Sequence, residues 1–346
     1  MRAAMLLGPQ QVQIQQVAIP RPGPGELLVR IGAATTCGTD VKVFRRGGHP
    51  RMLKVPALFG HEFSGTVEQV GDGALNFARG DRVVVANSAP CGTCERCVRG
   101  RENLCPDLQY LNGAFAEFIL LPKRFVQGSA YHIPATMSFE RAALSEPLAC
   151  VIHGISACEL NTAASSEITV FGAGPIGLLF VAALVRQGHA VQLADPNPSR
   201  LEVGARMGAT STLCVTRGGG QAAKVRAWSS NGDGVGVAID CTGIPEVWAD
   251  AMASVQAGGV VNLFGGCAPG TTVPLDTHRL HYSEISVKGV YHHRPLTFRA
   301  ALALLADRAF PADELLGAHM PIEEVETALH SMMRKENLKV VIDAAL

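Results

Sequence analysis

The stretch "EITVFGAGPIGLLFVAALVRQG" (167–188) limits the possible folds more than any other part of the chain. A β-branched apolar run ends in Gly172, Gly174 and Gly177, and a helix-forming run follows at once. Each glycine answers a steric demand: Gly172 a tight turn, Gly174 the close approach of backbone to a diphosphate, Gly177 tight packing of helix on strand. Pro175 and Ile176 open the helix, whose N-terminus offers unpaired N–H groups and partial positive charge to an anion. The next apolar run, "AVQLADP", ends in Asp195, at about the 20-residue spacing expected of a carboxylate that receives ribose hydroxyls. Such a carboxylate repels a 2′-phosphate and favours NAD over NADP. Arg200, close by, suits stacking on adenine and would also accommodate that phosphate.

The same pattern continues downstream. "GVGVAIDCTG", "GGVVNLFGG" and "ISVKGVY" are short, mostly continuous apolar runs, with helical stretches such as "PSRLEVGARMG" among the runs of this region. Strand, helix, strand in this order predicts a parallel sheet covered on both faces, an α/β doubly wound domain over 148–290. Thr242 and Gly265, at the ends of two of these runs, join the candidate cofactor contacts.

Residues 1–147 read differently. Short alternating runs such as "ELLVRIGAA", "FSGTVEQVG" and "DRVVVA" are broken by Pro and Gly, which predicts a β-rich domain with many turns. After Tyr291 come two helical stretches and a last strand, "KVVIDA". The α/β unit is therefore inserted between two segments, 1–147 and 291–346, that together make the other domain. Two domains also suit a chain of 346 residues.

Four cysteines crowd into "CGTCERCVRGRENLC": Cys91, Cys94, Cys97 and Cys105. Steps of three turn successive thiolates toward one point, and the fourth closes a tetrahedron, as in a closed structural zinc site. An iron–sulfur cluster uses similar spacing. A disulfide framework would need an oxidising compartment, which nothing else in the chain indicates.

A second set of soft donors stands upstream, in "TTCGTD" and "FGHEFSG". Cys37 and His61 are too few for a closed site, whereas a catalytic zinc takes three protein ligands and keeps one position open. Glu62 and Glu146, the latter in "LSEPLAC", are the candidates for the third. Lys plus Arg (30) equals Asp plus Glu (30), so no net field draws in nucleic acid or an acidic membrane, and a small molecule is the expected partner. The apolar run "GLLFVAALV" falls far short of the roughly 18 residues a membrane helix needs. The opening segment alternates like a strand pair and lacks the long apolar core of a secretion signal, so a cytoplasmic protein is expected.

Taken together, "CGTD", "GHEFSGTVEQVG", the four-cysteine lobe, "EPLAC" and "GAGPIG" resemble the zinc-dependent medium-chain alcohol dehydrogenases. Within them the chain is similar to the polyol branch typified by sorbitol (L-iditol) dehydrogenase, over nearly its whole length. The resemblance implies a GroES-like β-rich catalytic domain plus a Rossmann domain, NAD, and two zinc ions per chain, one catalytic and one structural. It implies catalytic zinc on Cys37, His61 and a carboxylate, with Glu62 a ligand and Glu146 acting through the metal's water or replacing it. It places Thr39 to take the proton of a secondary alcohol as hydride passes to nicotinamide.

The substrate expected is a polyol, cyclitol or sugar-like molecule, with an amino alcohol, as in threonine dehydrogenases, the alternative. From another class, a non-catalytic NAD-binding sensor that keeps only the structural zinc is the contrasting reading. Relatives imply a homo-oligomer, a tetramer or a dimer. One position departs from the family: Lys42 stands where a histidine often ends the proton relay. It is read as a contact for an anionic or electron-rich substrate group, or as a solvated surface lysine. His292, in "VYHHRP", is read as a substrate contact or as part of a hinge.

Overall fold

The computed structural model describes residues 1–160, 166–216 and 218–344. The chain divides into two compact units, Met1–Ala149 with His293–Leu346, and Cys150–His292.

The first unit is built on a sheet whose strands run in the order Ala130–His132, Arg82–Val85, Glu62–Val70, Leu27–Thr35, Lys339–Asp343, Leu316–Pro321. The Leu27–Thr35 strand is central because its side chains are buried on both faces, with only Arg30 exposed. It pairs antiparallel with Glu62–Val70, bringing Thr35 opposite Glu62. On its other side the C-terminal strand pairs antiparallel, Val341 opposite Thr35. The Thr36 N–H donates to the Val340 carbonyl (3.0 Å), and the Val340 N–H to Thr36 Oγ1 (2.8 Å). These contacts seat Lys339 beside Glu62, far away in sequence. Beneath lies a core that includes Leu6, Val29, Phe44, Phe63, Phe115 and Val340.

This unit is less purely β than the alternating runs predict. Gly38–Arg46, Lys123–Gly128 and Phe139–Ala143 are helical, and Ser145–Ala157 is a helix that crosses the change of pattern near residue 148. Gly38–Arg46 buries Val43 and Phe44 and is closed by Gly47, which is left-handed (φ 73°) and donates its N–H to the Val43 carbonyl.

In the second unit six parallel strands are ordered Ser211–Cys214, Ala190–Asp195, Glu167–Phe171, Val235–Asp240, Val255–Leu263, Ser286–Gly289. Numbered along the chain this is 3-2-1-4-5-6, a doubly wound parallel sheet of the class that the sequence predicts. The direction of winding reverses beside Glu167–Phe171. Ligands of such sheets bind at that reversal, outside the C-terminal strand ends. Among the described residues no helix is long and apolar enough to cross a membrane.

Candidate active site and metal centres

The upstream donors converge. One ligand atom from each of Cys37, His61 and Glu62 lies within 4.8 Å of the others. Local structure explains how. Cys37 is the N-cap of the Gly38–Arg46 helix, its sulfur accepting the Thr39 N–H at 3.4 Å. Asp40 Oδ2 accepts the Cys37 N–H at 2.9 Å and completes a capping box. His61 follows Gly60, whose φ of 88° brings backbone so close that a Cβ would lie 2.7 Å from the Phe115 ring. Only glycine suits that turn.

Asp40 is the hinge of the arrangement. Its Oδ1 accepts the His61 Nδ1–H at 2.9 Å while its Oδ2 holds Cys37, and it is fully buried. A carboxylate on one ring nitrogen fixes the tautomer and leaves the other nitrogen for a metal. Burial lowers the His61 pKa, but the Asp40 charge outweighs it and holds the imidazole well above its ordinary value. Burial, and then the charge of Glu62, push the Cys37 thiol up.

Glu62 is also fully buried. Its Oε2 accepts from Thr35 Oγ1 and from the Lys339 ammonium, which donates to the Thr36 carbonyl as well, at 2.9 Å. Burial disfavours the Lys339 ammonium, but Glu62 keeps its pKa above the ordinary value. Glu62 Oε1, buried too, has no donor among the described residues. An orphaned carboxylate oxygen beside a cysteine sulfur and an oriented imidazole is the donor set of a zinc ion with an open position. The residues fit the metal.

Glu146 is not one of the trio. It lies in the first turn of Ser145–Ala157, where burial pushes its carboxyl up to about 7, His61 opposing and Glu62 adding to the shift. Thr39 is half-buried in the first turn of its helix, and Lys42, one turn on, is exposed. His292 is half-buried with φ 62°, its ring 5.6 Å from that of Tyr291. Asp40, Thr35 and Lys339 carry roles that the motifs did not announce.

In the cysteine lobe all four sulfurs lie within 4.8 Å of one another, with separations of 3.4 Å for Cys94–Cys97 and 3.9 Å for Cys91–Cys97 and Cys94–Cys105. A disulfide would need about 2.0 Å, whereas a zinc tetrahedron with bonds of about 2.3 Å has edges of about 3.8 Å. The Cys94 backbone N–H donates to the Cys91 sulfur at 3.3 Å, and such donors bring the Cys91 thiol down to about 6. Replacing Cys94 by Ser is expected to remove one zinc per chain and cost on the order of several kcal/mol of stability, because site assembly is coupled to folding. Metal analysis alongside urea unfolding checks this, and an unchanged midpoint would contradict the structural role.

The glycine loop behaves as its sequence demands. Gly172 takes φ 100°, and a Cβ on Gly177 would lie 1.8 Å from the Gly172 carbonyl oxygen. A Cβ on Gly174 would meet nothing within 4 Å, so its face is open. No side chain caps the Pro175–Arg186 helix there, and the first-turn amides, Ile176 and Gly177 included, stand at its start. Asp195 Oδ2 accepts the Ala173 N–H (2.7 Å) and its Oδ1 the Asn197 N–H (2.8 Å). The carboxylate thus ties the loop to the second strand, and each oxygen keeps a lone pair for a ribose hydroxyl. Arg200 is half-buried, its pKa lowered by burial against the pull of Asp195.

A doubly wound nucleotide fold, in one chain with a closed four-sulfur cage and an open Cys–His–Glu site, is the combination that defines the zinc-binding dehydrogenases. The family models agree: residues 23–131 match the alcohol dehydrogenase GroES-like domain, and residues 175–307 match zinc-binding dehydrogenase. Sorbitol dehydrogenase of Bacillus subtilis (strain 168) is 30% identical over 99% of this chain and 97% of its own. L-Threonine 3-dehydrogenase of Idiomarina loihiensis is 27% identical, covering 96% of each. A Sinorhizobium meliloti 1021 protein solved bound to NADP superimposes with a TM-score of 0.90 at 29% identity, over 99% of this chain and 98% of that one. The chain belongs to the zinc-dependent medium-chain alcohol dehydrogenases, among their polyol-dehydrogenase-like members.

Proposed function

We propose that the protein oxidises a secondary alcohol of a polyol, cyclitol or sugar-like molecule to the ketone with NAD, using zinc held by Cys37, His61 and Glu62. The observation that carries this reading is the convergence of half-buried Cys37 with buried His61 and Glu62, Glu62 Oε1 being left unsatisfied. Bound zinc supplies Lewis acidity at the substrate hydroxyl, and NAD supplies the hydride acceptor.

The chain's own residues do the rest. Asp40 orients His61 and Cys37 together. Lys339 offsets the charge of Glu62, so that the thiolate is the uncompensated negative group facing the cation. Thr39 Oγ1 takes the hydroxyl proton as it gives up its own toward solvent. Glu146, a buried carboxyl in the first turn of Ser145–Ala157, would bond to water at the position that a bound zinc leaves open. The second zinc, on Cys91, Cys94, Cys97 and Cys105, is a staple without chemistry.

Asp195 supports NAD over NADP, because its carboxylate would repel a 2′-phosphate. The NADP-bound neighbour keeps the comparison of the two cofactors part of the test. The likeness to L-threonine 3-dehydrogenase supports a second substrate class, amino alcohols. Lys42, exposed, is read here as a surface lysine, and His292 remains the candidate for a polar substrate contact.

Reduction of NAD and NADP across polyols, cyclitols, aldonates and amino alcohols separates these readings. The expected result is turnover with a polyol or cyclitol and a kcat/KM favouring NAD. Turnover confined to amino alcohols would replace the substrate class. No turnover with any of them would favour the non-catalytic reading.

A further inference from the structure

The carboxylate of Asp240, at the end of the Val235–Asp240 strand, is fully buried and faces no lysine or arginine among its hydrogen-bond partners. Four donors surround it. Oδ1 accepts the Thr242 N–H at 3.1 Å and the Thr242 hydroxyl at 2.6 Å. Oδ2 accepts the Gly243 N–H at 2.9 Å and the Trp248 indole N–H at 3.0 Å. Four lone-pair sites meet four donors, so the carboxylate has no capacity left for a ligand. Burial raises its pKa against the combined pull of these bonds.

The bonds reach two loops. The Trp248 indole N–H is shared with the Gly265 carbonyl at 3.1 Å, and the Asp240 carbonyl accepts the Gly265 N–H at 2.8 Å. The loops are packed so tightly that a Cβ on Gly265 would lie 2.3 Å from the Gly243 nitrogen and 2.6 Å from Asp240 Oδ2. Both follow strands on one side of the winding reversal, and the Thr242 methyl group would be 2.9 Å from a Cβ on Gly172. The Asp240 network therefore sets the wall of the crevice that faces the glycine loop.

We propose that Asp240 is the positioning residue of the dinucleotide site, fixing the 241–244 and 264–266 loops through its four bonds and Trp248, and that Trp248 reports the state of that network. The proposal rests on the cofactor reading above. Asp240→Asn tests it with little change of shape. Whichever way the amide turns, its NH2 group faces at least one backbone or indole N–H that cannot turn away. The free protein relieves such an unsatisfied buried donor by letting the two loops part, and re-ordering them on cofactor binding at a cost of that size corresponds to about a tenfold loss in affinity.

The experiment uses the full-length, zinc-loaded enzyme in a Trp228→Phe background, which leaves Trp248 the sole tryptophan. Asp240→Asn is expected to raise the NADH Kd and the NAD KM about tenfold, keep kcat and zinc content, and shift Trp248 emission. Trp248→Phe, made in the wild-type chain, removes the indole N–H, and with it one of the two donors on Asp240 Oδ2 and the bond to the Gly265 carbonyl. It is expected to raise the NAD KM by about threefold, less than Asp240→Asn, because three of the four donors on the carboxylate remain. If Asp240→Asn fails to fold, this second variant decides. A parent that takes up neither NADH nor NADPH would sink the cofactor reading itself. A parent that binds, with KM and Kd unmoved in every folded variant, overturns the proposal alone.

Discussion

Lys339→Met is expected to cost the zinc-stripped protein about 3–5 kcal/mol of unfolding free energy, the range for a buried ion pair that loses one partner. Lys339 and Glu62 are both essentially inaccessible, at 1% and 0% exposure. Their pairing, with Thr35 on the same carboxylate oxygen, compensates both buried groups in the core. Methionine fills the volume but strands that charge and leaves the Thr36 carbonyl without its donor. Excess zinc should return part of the loss, because a cation on Glu62 replaces the missing compensation. Lys339→Arg, which keeps the charge, should lose less. Adding Glu62→Gln to Lys339→Met removes the charge altogether and should recover much of the stability without recovering activity. Urea unfolding with and without zinc checks the stability of all these variants, and an activity assay of the double variant checks the rest. A Lys339→Met protein within about 1 kcal/mol of wild type would show that Glu62 does not depend on this partner.

Cys37→Ala is expected to lower kcat/KM by about a thousandfold or more, since Lewis-acid stabilisation contributes several kcal/mol. NADH affinity should stay within about twofold, because the glycine loop and Asp195 belong to a unit that does not contain Cys37. Stability should fall modestly. The sulfur caps the Thr39 amide, and losing a cap costs about 0.5–2 kcal/mol, but Asp40 still accepts the Cys37 backbone N–H. The contrast with Cys94→Ser is the informative part: one variant loses turnover and keeps its fold, the other loses stability first. Full activity in Cys37→Ala would remove the metal trio from the reaction.

What was legible in the sequence was local. The strand–glycine–helix junction at 167–188 and the cysteine lobe at 91–105 each carry their geometry within a few residues, so spacing alone announces them. The Gly38–Arg46 helix was not legible, because "VKVF" alternates like a strand and the cap is a cysteine rather than Ser, Thr or Asp. Its one clue was Asp40, three residues past Cys37, where a capping-box acid belongs. Lys339 gave no local clue. In "NLKVVID" it reads as an ordinary strand residue, and only the pairing of the C-terminal strand with Leu27–Thr35, set by burial on both faces, brings it to Glu62. Asp240 was hidden for a related reason: its partners Thr242 and Gly243 are adjacent in sequence, but Trp248 and Gly265 join them only through the sheet.

Counting zinc per chain in purified, folded protein, wild type beside Cys37→Ala and Cys94→Ser, tests the central claim most directly. Two ions in the wild type, and one in each variant, is the predicted result. A wild type that holds a single ion, retained when Cys37 is replaced and lost when Cys94 is replaced, would contradict it.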